Sequence, residues 1–400
     1  MRLRTYESFW LLKNGLLYTY PSPQKNLSTE IIVLGGGITG ALISDALIDA
    51  GYKTMLIDKS DIALGSTSAT TSMLQYEIDV PLYELSKKIG KEAAIKCYTA
   101  GINAIVELEQ LIKEKQIDCG FQKKQSLYIA HTANAANKLL KEFKARDEAK
   151  LGVQWLSATA MKRTYKLHCH GGIVSKTAAS VDAYKLAHEL IQQNTRRGLA
   201  VYDQADIKHI QHQQRNITIH LKNGHYIKAK KIIYCTGYET VKMFRKPIAN
   251  LYSTFACVSE AGIKINESIK NTLIWNTRNP YLYLRTTDDE RLLVGGADSR
   301  FRAAEFMEKN KGKKSKNLIK QLQQLMPGVQ FIEDISWAGV FGSTKDGLPY
   351  IGAHPDFKNS FFVLGFGGNG ITFSVQGRKI ITDMLINKPN ELSYYYRFDR

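Results

Sequence analysis

Gly35, Gly37 and Gly40 stand at G-x-G-x-x-G spacing, and Asp58 follows about 20 residues downstream. That combination suits a dinucleotide. The first glycine permits a tight turn, the second lets backbone approach a pyrophosphate, and the third packs a helix onto a strand. The start of that helix attracts phosphate charge, and Asp58 can accept hydrogen bonds from ribose hydroxyls. Further on, Gly65-Ser66-Thr67-Ser68-Ala69-Thr70-Thr71-Ser72-Met73 is small and hydroxyl-rich. Its amides and hydroxyls can line an extended cofactor or face solvent as a loop. A second glycine turn, Gly365-Phe366-Gly367-Gly368-Asn369-Gly370-Ile371-Thr372, precedes a helical stretch. A helix start presents unpaired amides and a positive dipole end to a group that gains negative charge.

The elements needed to position these residues are also visible. Ile31-Ile32-Val33-Leu34 reads as a strand buried on both faces, the helix after Gly40 carries Ala41, Leu42, Ala46, Leu47 and Ile48, and Lys53-Thr54-Met55-Leu56-Ile57 reads as the next strand. This is a βαβ unit with parallel strands. Helices are expected over 82–115, with possible breaks at Gly90 and Gly101, over 133–150 and over 182–195. Strands are expected at 126–130 and near Ala200, Ile217 and Lys231. From 250 to 296 the tendency is β, and Tyr281-Leu282-Tyr283-Leu284 with Leu292-Leu293-Val294 predicts a hairpin. A lysine-rich segment, 309–320, leads into a helix ending near Pro327, and the chain finishes with a strand at 361–364 and a helix over 371–386. Residues 1–27 read as a short arm ended by Pro21 and Pro23.

Bulk properties bound the rest. A chain of 400 residues with 44% hydrophobic content excludes wholesale disorder and allows about two to four domains. Five scattered cysteines, never in a CxxC pair, argue against a disulfide framework or an all-cysteine zinc site and fit a reducing cytoplasm. His168-Cys169-His170 is read as solvated side chains, because neighbours on an extended chain point to opposite faces; no metal is expected. No apolar run approaches the roughly 20 residues of a membrane span. The net charge is +18, of which +10 falls in residues 151–245. It is compatible with RNA or an anionic membrane, but the chemistry does not need it and nucleic acid is not an expected partner.

Taken together, the fingerprint, the Ser/Thr/Ala loop, Cys235-Thr236-Gly237 after a strand, Trp337-Ala338-Gly339, Thr344-Lys345-Asp346-Gly347-Leu348-Pro349-Tyr350-Ile351-Gly352 and the second glycine turn resemble the FAD-dependent D-amino acid oxidase superfamily. The resemblance is strongest to its glycine oxidase and γ-glutamylputrescine oxidase branches. It implies an α/β fold: a Rossmann-like FAD-binding domain (1–80, 151–245 and 336–400) interleaved with an antiparallel β-sheet substrate domain (81–150 and 246–335). By the same resemblance Ile38, Thr39, Asp58 and Lys59 hold the adenosine and pyrophosphate end. Ser66, Thr67, Thr71, Ser72 and Met73 run along the ribityl chain and flavin, and the backbone of Ile207 touches adenine. Gly237 belongs to the cofactor set, and Gly367, Gly368, Asn369, Gly370, Ile371 and Thr372 cover the isoalloxazine.

The departures are informative. Amino-acid-oxidising members carry an arginine where this chain has Phe341, and a second basic residue where it has Gly368. Phenylalanine cannot replace a guanidinium fork as a carboxylate reader. An amine, or an amino-acid derivative with a distant acid, is therefore the expected substrate. Gly339 falls where some relatives carry a flavin-linking cysteine, so FAD is expected to be non-covalent. Trp275, Tyr281 and Tyr283 lie in the expected substrate sheet, as core or as an aromatic box for a cation. Arg285 is expected to pair with Asp288 or Asp289, or to reach substrate. The implied reaction is hydride transfer from the carbon bearing a neutral amine to flavin N5, then imine hydrolysis, with oxygen or another acceptor reoxidising the flavin. No catalytic acid or base is identified. Two alternatives are a flavoenzyme acting on modified tRNA and a flavin-binding protein without turnover.

Overall fold

The computed structural model describes residues 2–365 and 367–400, so Phe366 of the second glycine turn lies outside the described residues. Two sheets organise the chain. In the first, the order Tyr350–Ala353, Ser360–Leu364, Tyr226–Tyr234, Leu27–Leu34, Thr54–Ile57, Ala200–Tyr202 is parallel except at the Tyr350–Ala353 edge. Ile207–His212 and Ile217–Leu221 extend it as an antiparallel meander on Tyr226–Tyr234. Parallel strands need cover on both faces, and all four residues of Thr54–Ile57 are buried. The helix Ile38–Asp49 lies on this sheet and packs between Ala183–Thr195 and Gly370–Leu385.

The second sheet runs Glu333–Ser343, Asn250–Ser259, Leu292–Arg300, Tyr283–Thr286, Thr272–Asn276, Gln122–Ile129, Gly172–Ser180, Met73–Gln75, with Val153–Leu156 beside Gly172–Ser180. It is antiparallel apart from one parallel pair, Thr272–Asn276 with Gln122–Ile129. The expected hairpin is present, Leu284 opposite Val294. Ala304–Leu325 lies against this sheet through Met307, Leu318 and Leu322, and Lys314 reaches the sheet as well, donating to Ala297 O at 2.7 Å.

Strand pairing departs from the sequence-based division in three places, the first being residues 73–75, which pair with Gly172–Ser180 in the second sheet. Residues 153–156 with 172–180, and residues 336–343, also hydrogen-bond into the second sheet, although the motifs flanking them belong to the first. Strand pairing is non-local, and motif positions do not report it. Gly101 does not break the helix Lys91–Glu114; the break is at Gly90. Among the described residues no helix is long and apolar enough to cross a membrane, and no group of three His, Cys, Asp or Glu is arranged to hold a metal ion.

Candidate active site

A cavity of about 780 Å³ runs from the first glycine turn to the second sheet. It falls within the roughly 300–1,000 Å³ of ordinary ligand sites. At one end, the helix Ile38–Asp49 begins at Gly37 with no side-chain cap. Gly35 has φ +108°, and a Cβ there would lie 2.5 Å from Cys235 O, so only glycine fits. A Cβ on Gly37 would fill the space beside Thr67 Oγ1, 2.8 Å away. Thr67 Oγ1 accepts from Ile38 N at 3.0 Å. The result is a helix start that its own N-cap residue leaves open, with Thr67 beside it and glycine keeping the cradle clear, which fits a pyrophosphate.

Asp58 accepts from Gly36 N at 2.7 Å and from Ser60 N at 2.8 Å. Burial pushes its carboxyl up and those two N–H groups pull it back down. Each oxygen keeps a lone pair for a ribose hydroxyl. Lys59 lines the cavity with its ammonium on Glu239, 2.6 Å from Oε1. Thr39, Ser66, Thr71, Met73, Ile207 and Gly237 also line it. Gly40, Ser72 and Thr372 do not: Gly40 packs on Gly35, Ser72 is buried at φ +53°, and Thr372 donates to Gln75 O at 3.2 Å.

At the other end Gly367, Gly368, Asn369, Gly370 and Ile371 line the cavity, where the helix Gly370–Leu385 begins. Asn369 provides no cap to that helix; its amide donates instead to Glu77 O at 2.5 Å. Gly368 N donates to Asp79 Oδ2 at 3.0 Å. Gln75, Glu77 and Asp79 therefore rest against the second glycine turn, one residue in two. This helix start, too, is left open by its N-cap residue and suits a flavin edge that gains charge on reduction.

Trp275, Tyr281, Tyr283 and Phe341 form the far wall. Trp275 is stacked on Tyr128 at 3.6 Å, and its centroid is 6.4 Å from that of Tyr281 at 76°. Tyr283 shares a 3.3 Å hydrogen bond with Thr254. Burial, with Asp79 and Asp298 nearby, raises Tyr281 well above the usual phenol range, so it is neutral at working pH.

Arg285 is absent from the cavity wall. It lies two residues beyond Tyr283 on the same sheet face, where Trp10 covers it, 5.2 Å from guanidinium carbon to ring centroid. Its NH2 donates to Val181 O at 3.4 Å, and burial lowers it to about 10. The expected partners are engaged elsewhere, Asp288 with Lys13 and Asp289 with Arg291.

Sequence reasoning missed Glu77, Asp79, Tyr238, Thr254 and the arm. Alternation at Gln75, Glu77 and Asp79 was the available signal. In the arm, Arg2, Leu3 and Arg4 line the cavity, and Arg4 bridges to Gly339 and donates to Leu64 O at 2.6 Å. Trp10 donates to Thr70 O at 2.6 Å and Trp337 to Ala69 O at 2.8 Å, so two indoles hold the hydroxyl-rich loop. Trp10→Phe keeps the ring but removes the first bond, at about 1 kcal/mol. FAD release, followed by flavin fluorescence, is expected to quicken a few-fold; an unchanged rate would dissociate the arm from the loop.

Residues 30–384 match the sequence signature of a family described as FAD dependent oxidoreductase, abbreviated DAO. A putative Rieske 2Fe-2S iron-sulfur protein of Bacillus subtilis is 24% identical over 96% of this chain and 74% of its own length. A glycine oxidase of Geobacillus kaustophilus is 22% identical over 90% of this chain and 93% of its own. The crystal structure of glycine oxidase from Geobacillus kaustophilus superposes with a TM-score of 0.76 at 19% identity, covering 92% of this chain and 96% of that one.

Proposed function

The chain belongs to the FAD-dependent oxidoreductase family DAO, and from that premise we propose that it oxidises the C–N bond of a small amine or amino-acid derivative. One observation carries the reading: two helix starts that their N-cap residues leave open, at Gly37 and at Asn369, face one cavity that ends in an aromatic wall. Bound FAD supplies a two-electron acceptor for the hydride that leaves the carbon bearing the amine.

The chain does the remaining work. Gly37, Ile38 and Thr67 take the pyrophosphate, and Asp58 takes the adenosine ribose. The Gly370–Leu385 helix start stabilises negative charge at the flavin edge. Trp275, Tyr281, Tyr283 and Phe341 exclude water and align the reacting C–H bond. The amine must be neutral when hydride leaves, and the phenols of Tyr281 and Tyr283, both raised by burial, keep their protons and offer neutral hydrogen bonds. Oxygen or another acceptor completes the cycle.

The purified protein is expected to show a flavin spectrum, to release FAD on denaturation, and to bleach anaerobically with at least one small amine. An apoprotein that takes up no FAD would end this reading, and a flavin that no amine reduces would end the C–N chemistry.

A further inference from the structure

Resting on that reading, we propose that the substrate is an aliphatic diamine or polyamine, and that Asp79 holds the ammonium that does not react. Asp79 lines the cavity, and its side chain is exposed to it. Among the described residues its hydrogen-bond partner is the amide of Gly368. No lysine or arginine neutralises it among the described residues, and burial pushes its carboxyl up. Its carboxylate is exposed to the cavity rather than shut in the core; once cofactor and substrate fill that cavity it is enclosed, and an enclosed carboxylate needs a cation, which the ligand supplies.

The other cavity cations are committed away from this end. Lys59 is on Glu239, Arg4 is on Leu64 O, and the Arg2 guanidinium lies 3.8 Å over the Tyr6 ring. The position a Cβ on Gly368 would occupy is 3.1 Å from Asp79 Oδ1 and 3.6 Å from the Tyr281 hydroxyl. A side chain at 368 would crowd both groups; glycine leaves them open together. Tyr281 continues into two further rings that line the same cavity at angles, Trp275 to Tyr281 at 76° and Tyr281 to Tyr283 at 47°, an arrangement suited to a cation. Asp298, near Tyr281 and Lys314, adds negative potential behind them.

The choice of nitrogen follows from charge. A carboxylate beside the reacting amine would favour its protonated form, which cannot release hydride. The nitrogen on Asp79 is therefore a second one, and the molecule needs no carboxylate.

The test uses the FAD-loaded protein under anaerobic conditions with 1,4-diaminobutane, spermidine, butylamine, glycine and D-alanine. A diamine is expected to reduce the flavin with an apparent Kd ~10–100-fold below that of butylamine. Asp79→Asn is expected to remove that advantage, bringing the diamine-to-butylamine ratio of apparent Kd values, measured in the same variant, to about 1. Equal apparent Kd values for diamine and monoamine, preference for the amino acids, or an unchanged ratio in Asp79→Asn would overturn the proposal while leaving amine oxidation standing. If Asp79→Asn does not retain FAD, the wild-type ratio alone decides. If nothing reduces the flavin, amine oxidation itself fails. Titration of the flavin spectrum with tetramethylammonium against acetate then decides cation preference separately: acetate binding better would overturn it.

Discussion

Gly40→Ala is expected to give a destabilised protein without FAD, and Gly37→Leu a folded protein without FAD. The two glycines sit three residues apart and fail for different reasons. A Cβ on Gly40 would lie 1.8 Å from Gly35 O and 3.0 Å from Gly35 C. Both atoms are backbone of the tight turn, so the helix Ile38–Asp49 must move off its strand. Overpacking of this kind costs about 1–3 kcal/mol or more, and the displacement takes the helix start away from the pyrophosphate. At Gly37 the close atom is Thr67 Oγ1 at 2.8 Å, the end of a side chain that can rotate. The larger leucine then projects into the cavity, where apoprotein has room and cofactor does not. Flavin absorbance after purification, equilibrium dialysis with FAD and the Tm of both apoproteins separate the cases. FAD retained by Gly37→Leu would mean that the cofactor does not cross this helix start.

The parts legible in the sequence are those set by local pattern. The first βαβ unit, the 283–294 hairpin and both glycine turns follow from apolar periodicity and glycine spacing, and each lies where those signals put it. What was hidden depends on contacts between distant residues. Asp79 is a charged residue after a short strand until Gly368 N closes on it from the other end of the chain. Arg285 reads as a partner for Asp288 or Asp289 or for substrate, and Trp10 covers it instead. The strand Gly172–Ser180 carries no mark of which sheet it joins, because pairing with Gln122–Ile129 and Met73–Gln75 is decided by partners rather than propensity. The arm was read as an appendage. Yet Phe9 and Trp10 are buried, and Phe9 stacks on Trp337 at 6.1 Å.

Arg146→Met is expected to destabilise the fold by about 3–5 kcal/mol, the usual consequence of leaving buried carboxylates without their cation. Arg146 Nε donates to Glu142 Oε1 at 2.5 Å, and its NH1 is 3.4 Å from Glu77 Oε1; all three side chains are 1–2% exposed. The guanidinium also lies between Tyr76 and Tyr98, at 5.7 and 5.6 Å from their centroids. The loss reaches the active site through the chain. Gln75, Glu77 and Asp79 support the second glycine turn, so a shifted Glu77 loosens Asn369 and Gly368, and FAD release should quicken with the fall in Tm. Replacing all three groups, Glu77→Leu with Arg146→Met and Glu142→Leu, is expected to recover part of the stability. Recovery is incomplete because Glu142 also accepts from Leu82 N at 3.0 Å and Tyr83 N at 3.2 Å at the start of the helix Leu82–Ile89. Each of those bonds is worth about 1 kcal/mol. The pH dependence has a definite sign. Burial raises the Glu77 carboxyl and Arg146 pulls it down, so removing Arg146 raises it further. Between the unfolded and folded values the native state holds the extra proton, and stability falls as pH rises. The deficit of Arg146→Met against wild type should therefore shrink from pH 8 to pH 5 in urea denaturation. A deficit that stays constant, or a Tm equal to wild type, would show that Arg146 does not neutralise Glu77.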